Sequence, residues 1–441
     1  MLFDTICAIS TPLQEGAIGI IRVSGNDAIA IVNKIFSKDI NLFSDHSINY
    51  GYIKHDNELI DEVLLSVFKA PKTYTGEDII EINCHGSVYI IRKILALCLA
   101  SGARQALPGE FTQRAFLNGR IDLAQAEAVN DIVRANSSVQ AKQALKGIRG
   151  SVARLLEPLI AEMLEVIANI EVNIDYPEYE DIKQMTDEMV LPFLLKWEKA
   201  LDQIIMQAEN GRIINTGIKT AIIGKPNVGK SSLLNALLEE DKAIVTAIAG
   251  TTRDLVEGKI QLSNITLDLI DTAGLRETKD IIEQIGIDKT KKAIDEAQLV
   301  IIVLDATATI SSEEEELIAM TKDKKQLIVY NKSDLTDEKY ELSISALNND
   351  INPLIKAIEK MFEKQMLLIN EDILNNERQI ALAVSAKEAI IQALSSLKAA
   401  MELDIVLIDI ENAYRALKSI LGEVSQDDLL DTLFSNFCLG K

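Results

Sequence analysis

The sequence predicts a multidomain chain, α/β plus all-α: a mixed α/β N-terminal domain, a discontinuous helical bundle, and a P-loop α/β domain inserted within that bundle. Three observations predict it. A strand-like apolar run, Ile218 to Ile223, meets Gly-x-x-x-x-Gly-Lys-Ser at Gly224 to Ser231 and then a stretch with helix spacing, which is the context a phosphate-binding loop requires. Short strand-like and helical runs alternate from residue 1 to about 117. Helical periodicity fills 119–215 and returns over 367–441; neither stretch alone would bury both of its faces, so the two are expected to form one interrupted bundle. The boundaries that follow are 1–118, 119–215, 216–366 and 367–441.

In the first domain, Ile18-Gly19-Ile20-Ile21-Arg22-Val23-Ser24, Val63 to Phe68 and Ile79-Ile80-Glu81-Ile82-Asn83 read as strands, and Asn26 to Phe36 and Val88 to Leu99 as helices. Arg22 and Glu81 fall inside strand-like segments, where a charge is unexpected. An edge-strand position or an internal ion pair accounts for each; contact with a ligand is the alternative. His85, in Cys84-His85-Gly86, reads as a packed or turn histidine. Beyond Gly119, Leu123, Ala126, Val129, Ile132 and Val133 form one apolar stripe. Leu155, Leu159, Met163, Val166, Ile167 and Ile170 form a second, which Asp175-Tyr176-Pro177 ends. Lys142, Lys146 and Arg149, with Arg154 beyond, repeat at helical spacing. They suit a solvated helix face or, on a chain this acidic, an RNA-facing edge.

Within the P-loop, backbone N–H groups are expected to cradle phosphates, Lys230 to reach the β/γ oxygens, and the Ser231 hydroxyl to ligate Mg2+. Thr266 to Asp271 alternates like a strand and ends in Asp271-Thr272-Ala273-Gly274, a carboxylate able to hold Mg2+ through water beside a glycine able to sense a γ-phosphate. Leu327 to Tyr330 delivers Asn331-Lys332-Ser333-Asp334. The Asp334 carboxylate can accept from both N1–H and the exocyclic amine of guanine, a pair that adenine lacks. Ser345-Ala346 places a backbone N–H where it could meet the guanine carbonyl. In this order the elements specify a Ras-like P-loop GTPase domain. After it, Ile380, Val384 and Ala389-Ile390-Ile391 mark one helix, Ile405 to Leu421 a second that Gly422 ends, and Gln426 to Leu433 a third.

One position departs from the Ras-like pattern. The glutamine that orients the attacking water follows Asp-x-x-Gly in those enzymes, and here the residue is Leu275. Another group must orient the water; Glu283, Glu277 and Asp280 are candidates that position alone does not separate. The charge developing between the β- and γ-phosphates needs a cation, either Arg253 or a monovalent metal ion for which Asn227 is a spare oxygen ligand. Thr252 would complete the Mg2+ shell.

Composition sets limits. With 441 residues, 48% of them hydrophobic, the chain can bury cores for two to four domains. A formal net charge of −22 argues against coating nucleic acid by bulk electrostatics, so any RNA contact must be local. Cys7, Cys84, Cys98 and Cys438 show no C-x-x-C pairing and no histidine cluster, which fits a reduced, cytoplasmic compartment better than a disulfide framework or a zinc site. No apolar run approaches the ~20 residues of a membrane span, and the N-terminus lacks a basic leader pattern.

A further reading rests on longer motifs: Gly224-Lys225-Pro226-Asn227-Val228-Gly229-Lys230-Ser231, Ala243-Ile244-Val245-Thr246 to Gly250-Thr251-Thr252-Arg253-Asp254, Asp271-Thr272-Ala273-Gly274-Leu275-Arg276, Phe116 to Arg120 leading into Leu123-Ala124-Gln125-Ala126-Glu127-Ala128, and the terminal Phe437-Cys438-Leu439-Gly440-Lys441. Along its whole length the sequence resembles the MnmE (TrmE) family of tRNA-modification GTPases. That resemblance implies a folate-binding N-domain that dimerises, a discontinuous helical domain and a G domain inserted in it. It implies tetrahydrofolate contacts at Arg22, Glu81, Arg120 and Lys441, with Arg120 standing where some members have lysine. It implies GTP contacts from Asn227, Val228, Gly229, Lys230, Ser231 and Ser232, from Thr246, Ala247, Ile248, Ala249, Gly250, Thr251 and Thr252, from Asp271, Thr272, Ala273 and Gly274, and from Asn331, Lys332, Asp334, Ser345 and Ala346. Mg2+ would sit on Ser231 and Thr252, and K+ on Asn227, Thr246, Ile248 through its carbonyl, and Thr251. Glu283 matches the family's water-orienting glutamate.

The family works with a flavoprotein partner, MnmG, in a heterotetramer. Together they install an aminomethyl or carboxymethylaminomethyl group on the wobble uridine of certain tRNAs, using a one-carbon tetrahydrofolate such as 5-formyl-tetrahydrofolate, FAD, NADH and ammonia or glycine. This chain has no Gly-x-Gly-x-x-Gly unit, so the FAD is expected on the partner. Cys438 occupies the place of a cysteine invoked in the family's chemistry, with a packed thiol as the alternative. A reading from another class is a regulatory GTPase switch that binds ribosomal RNA during ribosome assembly. Such proteins often carry Gly-x-x-Gly in an RNA-reading appendage after the G domain, and here that part is acidic helices without such a loop.

Overall fold

A computed structural model describes residues 4–56, 58–135, 137–175, 186–239, 258–262, 265–270, 294–363 and 371–423, together with Phe434, Phe437 and Gly440. The chain divides into two compact units: 1–133 with 147–167 and 410–441, and 134–146 with 168–409.

The first unit is built on a six-stranded sheet of order β3-β4-β5-β2-β1-β6. Its strands are β1 (Ile6–Ile9), β2 (Ile18–Ser24), β3 (Ser47–His55), β4 (Glu58–Phe68), β5 (Ile79–His85) and β6 (Arg104–Gln105). All neighbours run antiparallel except β1 and β6. Alternation sends Ile21, Val23, Val63, Leu65, Val67, Ile80 and Ile82 to one face, as the strand period of two requires. There they pack on α1 (Ala28–Asn33) and α2 (Val88–Ala100) through Ile31, Val32, Ile91 and Ile94. The opposite face carries Arg22 and Glu81, which stand directly across from each other in the β2/β5 register. Neither strand is an edge of the sheet, so the edge-strand explanation for these charges is set aside. Over β1, Phe111 of α3 (Glu110–Leu117) packs with Ile6, Ala8 and Ala106. Toward β3 and β4 the same face leaves Ile18, Ile48, Tyr50 and Leu64 exposed.

Helical segments follow: α4 (Leu123–Arg134), α5 (Ser138–Ile148), α6 (Ser151–Asp175) and α7 (Asp187–Thr216). The α6 stripe buries Leu159, Met163, Val166, Ile167 and Ile170 as expected, but Val152 and Leu156 continue it and the expected Leu155 is half-buried at its margin; in α4 the expected stripe buries Leu123 and Ala126, while Val133 is exposed. Of the basic run, Lys142 and Arg149 face solvent, Lys146 Nζ donates to the Glu371 carbonyl at 3.3 Å and Arg154 to the Arg149 carbonyl at 2.6 Å.

The second unit holds a five-stranded sheet of order β11-β10-β7-β9-β8, with β7 (Ile218–Ile223), β8 (Lys259–Leu262), β9 (Ile265–Leu269), β10 (Leu299–Asp305) and β11 (Lys325–Asn331). Only edge strand β8 is antiparallel. The central strands are apolar on both sides, as a parallel sheet covered on two faces must be. One face packs on α8 (Lys230–Glu239) and α10 (Asn352–Met361) through Leu233, Leu237, Leu354 and Ile358, the other on α9 (Ser312–Met320) through Leu317 and Ile318. In the same unit α11 (Glu377–Lys398) packs along α7, with a Lys387–Asp202 ion pair at 2.5 Å, although the whole sheet lies between these helices in sequence. By length and composition α11 is the one helix among the described residues able to cross a membrane. Last comes α12 (Leu403–Leu421), ended by Gly422 at φ +87°, the left-handed stop that glycine tolerates.

Around α3 lies a charge network, buried at Arg114 and Glu110 and partly exposed at Asp4 and Arg104. The Arg114 guanidinium, 3% exposed, bonds Asp4 at 2.7 Å and Glu77 and Glu110 at 3.0 Å each; Arg104 binds Asp4 and Glu110 at 2.5 Å. Its hydrogen bond with Arg104 is the first reason that the Asp4 carboxyl falls to about 2, against an opposing push from burial. A carboxylate depressed in the folded state stabilises above its unfolded pKa of about 4 and loses that contribution as pH falls toward the folded value. Asp4→Asn should therefore flatten the loss of stability between about pH 4 and 2. Arg114→Met would leave Glu77 without its cation and Asp4 and Glu110 with Arg104 alone, at a cost of about 3–5 kcal/mol, and should speed hydrogen exchange of the β1 amides at neutral pH; unchanged exchange would show that the network is not structural.

Candidate functional site

Register brings three loops to one edge of the second sheet. Ile223 pairs with Ile302 and Asp305 with Asn331, so β7, β10 and β11 end side by side, the place where open α/β sheets bind ligands. The P-loop leaves β7 at Gly224 (φ +150°), where a Cβ would meet the Val303 carbonyl oxygen at 2.4 Å. Asn227 takes a left-handed conformation (φ 66°), which its side chain tolerates. Gly229 (φ +97°) precedes α8, and a Cβ there would fall 2.1 Å from Asn331 Nδ2. Lys230 Nζ donates to the Gly224 and Lys225 carbonyls at 2.7 and 2.6 Å, which curls the loop around the ammonium. Burial pushes its pKa below the ordinary lysine value. Ser231 and Ser232 are exposed on the first turn of α8, and Lys225 pairs with Glu313 at 2.8 Å.

The loop that follows β11 is tied to this one through the Asn331 carboxamide. Asn331, 3% exposed, donates through Nδ2 to the Val228 carbonyl at 2.9 Å and accepts through Oδ1 from the Ala346 N–H at 3.0 Å. Ser345 Oγ donates to Asp334 Oδ1 at 2.6 Å, so the exposed Asp334 carboxylate is aimed by one of its oxygens. Lys332 Nζ pairs with Asp305 Oδ2 at 2.5 Å. Thus Val228, Gly229, Lys230, Asn331, Lys332, Asp334, Ser345 and Ala346 are brought together at one edge of the sheet. Asp305 was not anticipated, because only the β10/β11 register sets it beside Asn331.

A second cluster lies on the first sheet. Arg22 and Glu81 are ion-paired at 2.7 Å and about one-fifth exposed. The guanidinium lies 5.9 Å from the Tyr74 ring and 5.6 Å from the Phe111 ring, within cation–π range. Burial raises the Tyr74 hydroxyl, which hydrogen-bonds Thr112 at 2.8 Å. Arg22 also donates to the Gly440 carbonyl at 3.4 Å, and Ser10 Oγ does so at 3.3 Å. Arg120 is exposed, with Nε on the Thr73 carbonyl at 3.2 Å, next to Tyr74. Sequence reasoning missed both rings, which reach Arg22 only through the fold. His85 is neither packed nor in a turn: it is the exposed last residue of β5, and its Nδ1 lies 2.7 Å from Asp61 Oδ1, a contact that raises its pKa. Cys7, Cys84 and Cys98 are free and buried; burial lifts the Cys7 thiol to about 12 and the Cys84 thiol to about 11.

Thr246, Ala247, Ile248, Ala249, Gly250, Thr251, Thr252, Arg253, Asp271, Thr272, Ala273, Gly274, Leu275, Glu277, Asp280, Glu283, Cys438 and Lys441 lie outside the described residues, as does the expected helix 426–433.

Residues 5–120 match the family described as GTP-binding protein TrmE N-terminus, and 123–438 match the MnmE helical domain. The tRNA modification GTPase MnmE of Lactococcus lactis subsp. lactis is 45% identical over 449 residues, covering 100% of this chain and 99% of that protein. The chain belongs to the MnmE family. The tRNA modification GTPase MnmE of Streptococcus pneumoniae is 46% identical over 452 residues, with the same coverage. The solved Aquifex aeolicus Era bound to GDP.AlF4- is similar at 27% identity over 38% of this chain and 65% of that chain, with a TM-score of 0.25.

For this MnmE family member the Gly229 geometry makes a sharp prediction. Gly229→Ala forces a side chain into the left-handed region and onto Asn331, and should weaken GDP binding about 100-fold. Calorimetric titration of GDP checks it, and wild-type affinity would contradict the packing.

Proposed function

We propose that this chain is a K+-dependent GTPase that acts with the flavoprotein MnmG to install the aminomethyl or carboxymethylaminomethyl group at C5 of the wobble uridine of certain tRNAs. The observation that carries this reading is the full-length relation to tRNA-modification GTPases, joined to a P-loop and an Asn331-to-Asp334 segment locked together by hydrogen bonds.

The domain reading is 1–118 for folate binding and dimerisation, 216–366 for the G domain, and 119–215 with 367–441 for one helical domain. It is supported by α7 packing on α11 across the intervening sheet and by a helical-domain match that runs from 123 to 438. Homodimerisation is supported by the apolar face of Ile18, Ile48, Tyr50 and Leu64. Ile18, Tyr50 and Leu64 of that face also line a cavity of about 350 Å3 together with Glu62, Asn83 and His85.

In the G domain, Lys230 and the backbone of 227–232 would bind the phosphates, and Asp334 with the Ala346 N–H would select guanine. The exposed Ser231 hydroxyl suits Mg2+, which takes one or two protein oxygens beside phosphate oxygens and water; Thr252 would add a second, and Asp271 would act through water. The Asn227 amide oxygen, on an outward left-handed turn, suits K+ together with Thr246, Ile248 and Thr251. Bound there, the cations offset the charge that builds between the β- and γ-phosphates. Glu283 would orient the attacking water in place of a glutamine, because Leu275 cannot. In the N-domain, the Arg22–Glu81 pair offers a donor and an acceptor beside two aromatic rings, a chemistry that fits a pterin of tetrahydrofolate, with Arg120 and Lys441 at its margins. FAD belongs to the partner, in a cytoplasmic heterotetramer that receives tRNA.

Two readouts test the proposal together. Purified protein should hydrolyse GTP faster when K+ replaces Na+, and Glu283→Ala should lower kcat by about 100-fold or more. Transfer RNA from cells lacking the chain should lose the modified wobble nucleoside. Unaltered wobble nucleosides would sink the tRNA assignment, and equal rates in K+ and Na+ would remove the cation.

A further inference from the structure

Lys332 occupies the left-handed region at φ 65°, ψ 35°, a conformation that crowds the Cβ of a non-glycine residue. It persists only where the surroundings over-determine it. That turn sends the chain from β11 into the short helix Ser333–Leu335, which carries Asp334. Two backbone bonds hold the turn, Ser333 N–H to the Ile344 carbonyl at 3.1 Å and Leu335 N–H to the Lys332 carbonyl at 3.0 Å. The third restraint is a side chain: Asp305 Oδ2 takes the Lys332 ammonium at 2.5 Å.

Asp305 is itself fixed. Its Oδ1 accepts from Thr307 N–H at 3.0 Å and from Thr307 Oγ1 at 2.7 Å, closing an Asx-type turn. Ala306 N–H reaches the Asn331 carbonyl at 2.9 Å, so the anchor and the turn it holds share one strand register. The partners' side chains are 20% and 32% exposed, more shielded than the surface pairs that contribute little.

We propose that Asp305 is a positioning residue for base recognition: through Lys332 it holds the turn that aims Asp334, and so it sets guanine affinity and selectivity without touching the nucleotide. This rests on the reading of Asn331 to Asp334 as the base-binding segment. Asp305 lies at the end of a strand that carries none of the nucleotide motifs and acts on the base loop across the β10/β11 pairing.

The test compares full-length wild type, Asp305→Ala, Thr307→Val, Lys332→Met and the Asp305→Ala/Lys332→Met double variant, with GDP, IDP and inorganic pyrophosphate as probes. IDP lacks the exocyclic amine that Asp334 would accept. Asp305→Ala should weaken GDP about tenfold or more, the size of a lost charge-assisted bond. It should narrow the GDP-over-IDP preference and leave pyrophosphate affinity at the wild-type level. For GTP hydrolysis, KM should rise while kcat at saturation holds. Thr307→Val should shift GDP in the same direction by less. The double variant should bind GDP no worse than Lys332→Met, because the two residues act through one contact. Unchanged GDP and IDP affinities in Asp305→Ala, or additive losses in the double variant, would overturn the proposal. If Asp305→Ala also loses pyrophosphate, the Thr307→Val arm decides: narrowed GDP-over-IDP preference supports it, and wild-type preference rejects it. A wild type that does not prefer GDP to IDP would instead refute the base-binding reading beneath it.

Discussion

One carboxamide holds the nucleotide-binding edge together. Asn331 spans from the Val228 carbonyl to the Ala346 N–H, and its Nδ2 occupies the space that any side chain at Gly229 would need. The glycine of the P-loop is therefore required for a tertiary reason as well as a conformational one. Because Asn331 is buried and both of its amide groups are satisfied, moving either loop would leave polar groups without partners, at about 1–3 kcal/mol each. The P-loop and the loop after β11 are thus joined at Asn331, while Lys332 and Asp305 brace the second of them, on its other side, to a third strand end.

Charge is handled differently in the first unit. There Arg114 sits inside the protein among Asp4, Glu77 and Glu110, a buried cation that is tolerable because several carboxylates surround it. Arg22 and Glu81, paired across adjacent strands, remain partly open to solvent on the face that also bears Tyr74, Phe111 and the chain's penultimate glycine. The first network is a structural clamp. The second leaves a donor and an acceptor partly open to solvent beside the half-buried Tyr74 ring, with Phe111 buried behind them, a composition that the more enclosed cluster does not offer.

What could be read from the sequence follows the range of the interactions. The P-loop, the Asn331-to-Asp334 segment and the helix stop at Gly422 were legible because each is written in neighbouring residues. Strand β3 was not: it is an edge strand interrupted by Gly51, where a Cβ would meet the Phe36 ring at 2.3 Å, and a glycine inside a strand weakens its signal. Strand β1 spans only Ile6–Ile9, too short for a periodicity to stand out. Arg22 and Glu81 were visible as misplaced charges, yet their pairing waited on the β2/β5 register. Tyr74, Phe111 and Asp305 come to their sites entirely through tertiary packing. Glu283 and the segment around Thr246 to Thr252 rest on motif resemblance.

If Asn331 joins the two loops, its removal must harm a ligand that never meets the base loop. The direct measurement is the affinity of wild type and Asn331→Ala for inorganic pyrophosphate, which has phosphates and no base. Coupled loops predict a pyrophosphate affinity weakened by about tenfold, in line with the loss of a buried hydrogen bond. Wild-type pyrophosphate affinity alongside impaired GDP binding would show that Asn331 serves the base alone and would contradict the account.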